Sequence, residues 1–305
     1  MDDGSKDRTP DLLDAWAKQD TRVRVIHQTN QGPSVSRRNG LEASTSSLVT
    51  FVDADDWIHP EMYTTMLRGM EIEHADMAIC GVCDAYSGIT PPLTLSSILL
   101  KHRVLWELTD SYSAYDRVQA MLLLLEDRKW QSYMWNKVYK KELFEGVTFP
   151  IGRQLDDDSS VMHQIFHRAE KTIYIDNEFY FYYHHEGSIC LSNDDKSRAR
   201  NIVDRCAARW ERYVFTAEHM EYAPMLQRMK NTYVSVALAG LRFAYKHKEL
   251  FNADFFVVER NRILGVDLPS SQQLPEFFSK AKKVEYALFK HCFPIYRSLV
   301  KRLGK

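Results

Sequence analysis

Two carboxylate clusters are the residues best suited to chemistry. FVDADDW at 51–57 places Asp53, Asp55 and Asp56 at the end of an apolar run, and GRQLDDD at 152–158 places Asp156, Asp157 and Asp158 side by side. Carboxylates at i and i+2 can share a hard cation, or divide a cation and a ribose between them. Mn²⁺ or Mg²⁺ takes such oxygens together with substrate phosphates. Adjacent carboxylates raise one another's pKa, which suits a general base. The bland alternative for both clusters is a polar loop that caps a helix, and Asp158 is well placed as an N-cap. An EF-hand is excluded, because Trp57 stands where a third ligand belongs.

The surrounding elements must position these groups. Thr9 to Lys18 has helix signals, with Thr9 as N-cap, Pro10 at the first helical position, and Leu12, Leu13 and Trp16 on one face. VRVIHQ (23–28) alternates like a strand. GPSVSRRNGLEAS (32–44) turns and becomes a helix. LVTFVDADD is a strand, PEMYTTMLRGMEIEH a helix and ADMAICGVCDAY a strand. This alternation predicts an α/β sheet with parallel strands. In such sheets ligands bind beyond the carboxyl ends of strands, where Asp53 and Asp55 fall. Residues 86–105 read as an irregular or hairpin insertion. YDRVQAMLLLLED, WNKVYKKELFE and SVMHQIFHRAE read as helices, and TIYIDNEFYFYYHHEGSI as two strands joined by a turn. From 194 onward helical periodicity dominates.

Composition sets limits. Lys plus Arg is 40 against 41 Asp plus Glu, for a formal net charge of −1, which argues against nucleic-acid binding by overall electrostatics. Cys80 and Cys83 form a lone CxxC on a strand. Residues three apart there point to opposite faces, so packing in a reducing compartment is the better reading than zinc. No apolar run approaches the ~18 residues of a membrane span, so the expected location is cytoplasmic, soluble or peripheral.

Taken in order, DDGSKD at 2–7, VRVIHQTNQGPSVSRRNGL, VTFVDADDW, WNKVYKKELF, GRQLDDD and YYHHEGSI resemble the family 2 glycosyltransferases of bacterial capsule and exopolysaccharide type. The resemblance implies an α/β GT-A (Rossmann-like) fold. Residues 1–193 would be the catalytic domain, with 1–85 the nucleotide-sugar half and 86–193 the acceptor half, and 194–305 a helical C-terminal region. It also implies a UDP-sugar donor and a polysaccharide or lipid-linked saccharide acceptor. Asp3, with Asp2 beside it, takes the place of the uracil and ribose contact. Arg37 falls on the Arg of the family's G-x-S-x-x-R stretch, for phosphate or the carboxylate cluster. Asp55 falls on the direct metal ligand, and Asp53 on a second ligand or the ribose contact. Asp157 aligns with the catalytic base, and Asp156 replaces the usual Glu. His184 and His185 fall where the family often places a residue near the diphosphate, with an inert role as the alternative. Trp135 and Lys137 fall on a helix that borders the acceptor, although a surface Lys is the plainer reading.

By the same resemblance, residues 2–7 belong at the end of the family's second strand. The expectation is a chain lacking the N-terminal strand-helix-strand, either because the true start lies upstream or because it is a natural fragment. An inactive relative that binds a nucleotide-sugar or a partner is the alternative function. A nucleotidyltransferase is a more distant one. From Phe278 to Lys305, eight Lys or Arg face one acid, Glu285, with aromatic and aliphatic residues interleaved. That pattern suits peripheral contact with an anionic membrane or a solvated terminal helix.

Overall fold

The computed structural model describes residues 1–86, 112–185, 194–266 and 280–302. The expected insertion falls almost wholly outside them. The chain forms two compact units, Met1–Leu191 and Ser192–Lys305.

In the first unit, helices α1 (Thr9–Gln19) and α2 (Pro33–Ala43) precede strands β1 (Leu48–Thr50) and β2 (Trp57–Ile58). Then come α3 (Met62–Glu73), β3 (Met77–Tyr86), β4 (Tyr112–Asp116), α4 (Arg117–Glu126), β5 (Lys137–Lys140), α5 (Asp157–Arg168) and β6 (Lys171–His184). The strands make one sheet in the order β1-β5-β3-β6-β2, with β4 also on β6. The α/β class expected from the sequence is present, but the parallel sheet is not. Only β3 and β6 pair in parallel among the described strands, and every other pairing is antiparallel. Periodicity reports which residues are strand-like and carries no information on strand direction.

Other elements also differ from expectation. VRVIHQ makes a single bridge, Asp2 to His27, rather than a strand. Thr9 is the first residue of α1 and Arg8 its cap. The apolar face of α1 is not buried, with Leu12 and Trp16 exposed. WNKVYKKELFE is strand β5 followed by a 3₁₀ turn at Lys141–Phe144, not a helix. Apolar residues at 135, 138 and 139 satisfy helical spacing. The segment instead lies between β1 and β3, whose backbones supply partners on both sides. The aromatic run is one 14-residue strand, β6, rather than two. Its pairing with β3 shifts register at Gly81, opposite Asp176 and Asn177. A Cβ at Gly81 would sit 3.0 Å from the Asn177 carbonyl, a close approach that glycine accommodates.

The core between α3 and the sheet contains Met62, Met66, Ala78, Ile173, Ile175 and Phe179. Cys80 is buried and Cys83 partly exposed, consistent with packing roles. Burial pushes the Cys80 thiol up to about 12.

The second unit contains α6 (Asp195–Glu218), α7 (Ala223–Lys246), α8 (Ala253–Gly265), α9 (Lys280–His291) and α10 (Phe293–Arg302). Its own core includes Tyr233, Leu238, Leu241, Ile263, Phe289 and Tyr296. Pro294 lies in the first turn of α10, where its missing N–H costs nothing, and the chain breaks between α9 and α10 just before it. Among the described residues no helix is long and apolar enough to cross a membrane.

Candidate functional site

Arg37 joins the two carboxylate clusters. Its Nη1 donates to Asp157 Oδ2 at 2.8 Å and its Nη2 to Asp53 Oδ1 at 3.1 Å, and Asp158 Oδ1 lies 3.6 Å from Nη1. The Arg37 side chain is 15% exposed and that of Asp157 6%. Burial alone would lower the guanidinium pKa, but Asp158, Asp157 and Asp53 outweigh it and the net shift is upward. Asp53 is pushed up by burial, with Arg37 opposing. Asp158 is raised well above its ordinary value by burial and then by the neighbouring Asp157 charge.

Each group is placed by its element. Gly32, at φ 88°, starts α2 in a conformation that favours glycine, and Pro33 follows at the first helical position. Arg37 sits one turn further on. Asp157 opens α5. The residue before it, Asp156, is left-handed at φ 56° and makes no side-chain cap bond. The capping role expected for Asp158 is therefore absent, because the helix starts two residues too early for it. Asp157 and Asp158 instead occupy the first turn, where the helix dipole favours negative charge.

At the strand-end cluster, Asp56 is a structural residue. It accepts from the Tyr180 hydroxyl at 2.7 Å and from Tyr183 N at 2.9 Å, and the same Tyr180 oxygen accepts from Asp53 N at 3.1 Å. Burial moves Asp56 up to about 6 despite these bonds. Asp55 is half exposed and pairs with His185 Nε2 at 2.9 Å. His185 thus sits beside the expected metal ligand. His184 pairs with Asp84 at 2.8 Å and stacks on Tyr86. The two neighbouring histidines thus meet different carboxylates.

Among the described residues, no group of three or more His, Cys, Asp or Glu is arranged to hold a metal ion. The donor set still fits Mn²⁺ or Mg²⁺ in a limited form. Asp55 offers an exposed carboxylate with Asp53 nearby in the chain, and such cations commonly use one or two carboxylates plus substrate phosphates.

The N-terminal aspartates have local partners. Asp3 accepts from Gln28 Nε2 at 2.7 Å and from the backbone N–H groups of Gln31 and Gly32, each at 2.8 Å. It clamps the turn that launches α2. Asp2 is buried, accepts from Ser5 N and meets His27 Nδ1 at 2.7 Å. Hydrogen bonds from His27 and Ser5 lower Asp2 to about 2.

Lys137 and Trp135 differ most from expectation. Lys137 is fully buried on β5 rather than at a helix surface. Its Nζ donates to Gln131 O at 3.2 Å, Tyr133 O at 2.5 Å and Asn136 Oδ1 at 2.6 Å. Burial lowers its pKa to about 7. Trp135 is buried in a pile of rings, 4.2 Å from Tyr180 and 5.5 Å from Tyr182 between centroids. Sequence reasoning missed Tyr180 and Gln28. The hydroxyl of Tyr180 was hidden in an aromatic run with nothing to separate it from its neighbours. Gln28, which also accepts from Asn39 at 2.7 Å, lies in a stretch read as a strand.

The family model described as "Glycosyl transferase family 2" matches residues 1–153, half of the chain. The chain belongs to glycosyl transferase family 2. Relatives of this family-2 chain include Glycosyltransferase GlyG of Streptococcus pneumoniae serotype 4, 29% identical over 208 residues, covering 67% of this chain and 66% of GlyG. Putative glycosyltransferase EpsH of Bacillus subtilis is 30% identical over 193 residues, covering 62% of this chain and 52% of EpsH. The chain therefore spans between half and two thirds of these relatives. Among solved structures, residues 1–349 of S. aureus TarS in complex with UDP-GlcNAc align with a TM-score of 0.60 at 16% identity, covering 100% of this chain and 82% of that one. The GT-A class expected from the motifs is thus the fold of this family-2 chain.

Proposed function

We propose that the chain is an inverting glycosyltransferase that moves a sugar from a UDP-sugar to a hydroxyl of a polysaccharide or lipid-linked saccharide. The observation that carries this reading is the Arg37 bridge between Asp53 and Asp157. It draws a strand-end carboxylate and a helix-start carboxylate, 104 residues apart in sequence, to one guanidinium. The UDP-GlcNAc held by the similarly folded TarS supports a UDP-sugar donor.

In this reading the donor diphosphate competes with the aspartates for Arg37, the side chain best suited to bidentate phosphate contact. Engagement of Arg37 by phosphate leaves the Asp157 carboxylate to accept a proton. The acceptor oxygen attacks the anomeric carbon, its proton passes to Asp157, and the bond from that carbon to the UDP oxygen breaks. Asp55, with Asp53, would hold Mn²⁺ or Mg²⁺, which when bound offsets charge on the diphosphate leaving group. Asp3 orders the turn before α2 and leaves its neighbour Asp2 to the His27 pair. The uridine contact is therefore assigned to Asp3 and its loop. Peripheral contact of the basic helices α9 and α10 with an anionic membrane would suit a lipid-linked acceptor.

The test is thermal melting of the full chain with Mn²⁺ and UDP. A ligand that binds only the folded state at a hundredfold excess over Kd stabilises it by about 2.7 kcal/mol. The midpoint should rise, and the rise should need Mn²⁺ and disappear in Asp55→Asn. No shift in the unaltered chain would remove the donor-binding reading. A shift without UDP-sugar turnover, with acceptor saccharides supplied, would favour a non-catalytic binding module.

A further inference from the structure

A cavity of about 410 Å³ lies beside the β3–β6 seam, against the loop that leads into β5. Its lining includes Trp130, Tyr133, Trp135 and Tyr182, together with the carboxylates of Asp84 and Glu178. None of the carboxylates in the Arg37 cluster contributes to it. The rings are ordered. Tyr133 stacks on Trp135 at 4.4 Å and 12°, and Trp135 lies at 4° to Tyr182. Trp135 also stacks on Tyr180, whose hydroxyl meets Asp53 and Asp56. One aromatic pile therefore runs from the Asp53 cluster to this cavity, and Tyr133 at its outer end is 39% exposed.

The platform is also rigid. Lys137 Nζ grips the Gln131 and Tyr133 carbonyls, and Asn136 Nδ2 donates to Cys80 O at 2.7 Å. A charged side chain has been buried to fix the loop that presents Tyr133. Groups held in advance lose less entropy on binding.

We infer that this cavity is a subsite for an uncharged pyranose of the acceptor saccharide, an inference that rests on the transferase reading above. A pyranose has a C–H face and a rim of hydroxyls. Flat rings suit the face, while carboxylates suit the rim as acceptors. A uracil would stack as well, but its phosphates would meet Asp84, Asp176 and Glu178. Lys129 and Arg128 also line the cavity, and Lys129 already lies 4.8 Å over the Tyr174 ring.

The test is saturation-transfer NMR on the full chain with methyl β-glucopyranoside, methyl β-galactopyranoside and methyl N-acetyl-β-glucosaminide, with UMP as the competitor. At least one pyranoside should receive saturation that UMP does not displace. Tyr133→Ala should weaken its binding about tenfold or more. Asp84→Asn, at a side chain 61% exposed, should also weaken binding, by less. The UDP-induced melting shift should survive in both. No saturation of any pyranoside, displacement by UMP, or binding in both variants equal to that of the unaltered chain would overturn the subsite. If UDP fails to shift the melt while pyranoside binding still needs Tyr133, the donor reading fails and the saccharide site stands.

Discussion

At the residue scale, Arg37 and Lys137 are both buried cations, with opposite surroundings. Arg37 faces three carboxylates and is held charged. Arg37→Ala leaves Asp157 buried and unpaired, which should cost about 3 kcal/mol in urea unfolding. Arg37→Lys keeps charge but loses the two-pronged reach, so UDP-sugar turnover should fall about a hundredfold while stability falls less. Lys137 donates its hydrogen bonds to neutral oxygens. Lys137→Met strands those acceptors and should destabilise by about 1–3 kcal/mol. The pH dependence has a definite sign. The folded Lys137 releases its proton near 7, whereas the unfolded lysine keeps its proton to 10.5. Between these values the unfolded state binds more protons, so stability from this group rises with pH. Urea midpoints should therefore show the unaltered chain gaining on Lys137→Met through that interval. A widening deficit would contradict the assignment.

At the element scale, α2 shows how a turn positions chemistry. Gly32 at φ 88° aims the helix that carries Arg37, and Asp3 holds that turn through two backbone N–H groups. A Cβ there has room, with Arg153 O at 3.6 Å, so Gly32→Ala pays only for the backbone conformation. That amounts to about 1–2 kcal/mol, read as a lower urea midpoint. Helices α9 and α10 pose a different question. Val284, Ile295 and Leu299 are exposed, and the acid Glu285 is occupied by Arg242 and Tyr296. Exposed aliphatic side chains on two helices rich in Lys and Arg suit an anionic lipid surface. The chain should pellet with phosphatidylglycerol-containing vesicles and not with pure phosphatidylcholine. Ile295→Asp with Leu299→Asp should abolish pelleting, and recovery in the supernatant with both vesicle types would leave the helices as a solvated terminus.

At the scale of the whole molecule, the titrating groups of the first unit combine into one pH profile. Asp2 is lowered to about 2, so its stabilisation is present above 3.8 and lost as pH falls toward 2. His27 is raised by Asp2 and Asp14, so its stabilisation is present below 6.5 and lost as pH rises through its folded value. Asp56 is raised to about 6, so the folded state binds more protons between 3.8 and 6, and stability falls with pH there. Together these place the stability maximum on the acid side of neutrality, with Lys137 restoring some stability in alkali. Urea midpoints at about pH 5 should exceed those at about pH 8, and His27→Gln should flatten the difference.

The sequence by itself determined the kinds of groups and their order along the chain. DDGSKD, FVDADDW and GRQLDDD were legible as clusters of oxygen ligands, and their order along the chain carried the resemblance to family 2. The helices α2, α3 and α5 were legible because their apolar spacing is local. The shared role of Arg37, the burial of Lys137 and the separation of His184 from His185 were decided only by the tertiary structure. So was the conversion of WNKVYKK into a strand and of two expected strands into one. In each case the deciding partner lies far away in sequence: Asp157 for Arg37, β1 and β3 for β5, Asp84 and Asp55 for the histidines. Local pattern records what a residue prefers. Pairing across the fold decides which preference is met, because a buried charge or backbone group without a partner costs more than any local propensity returns.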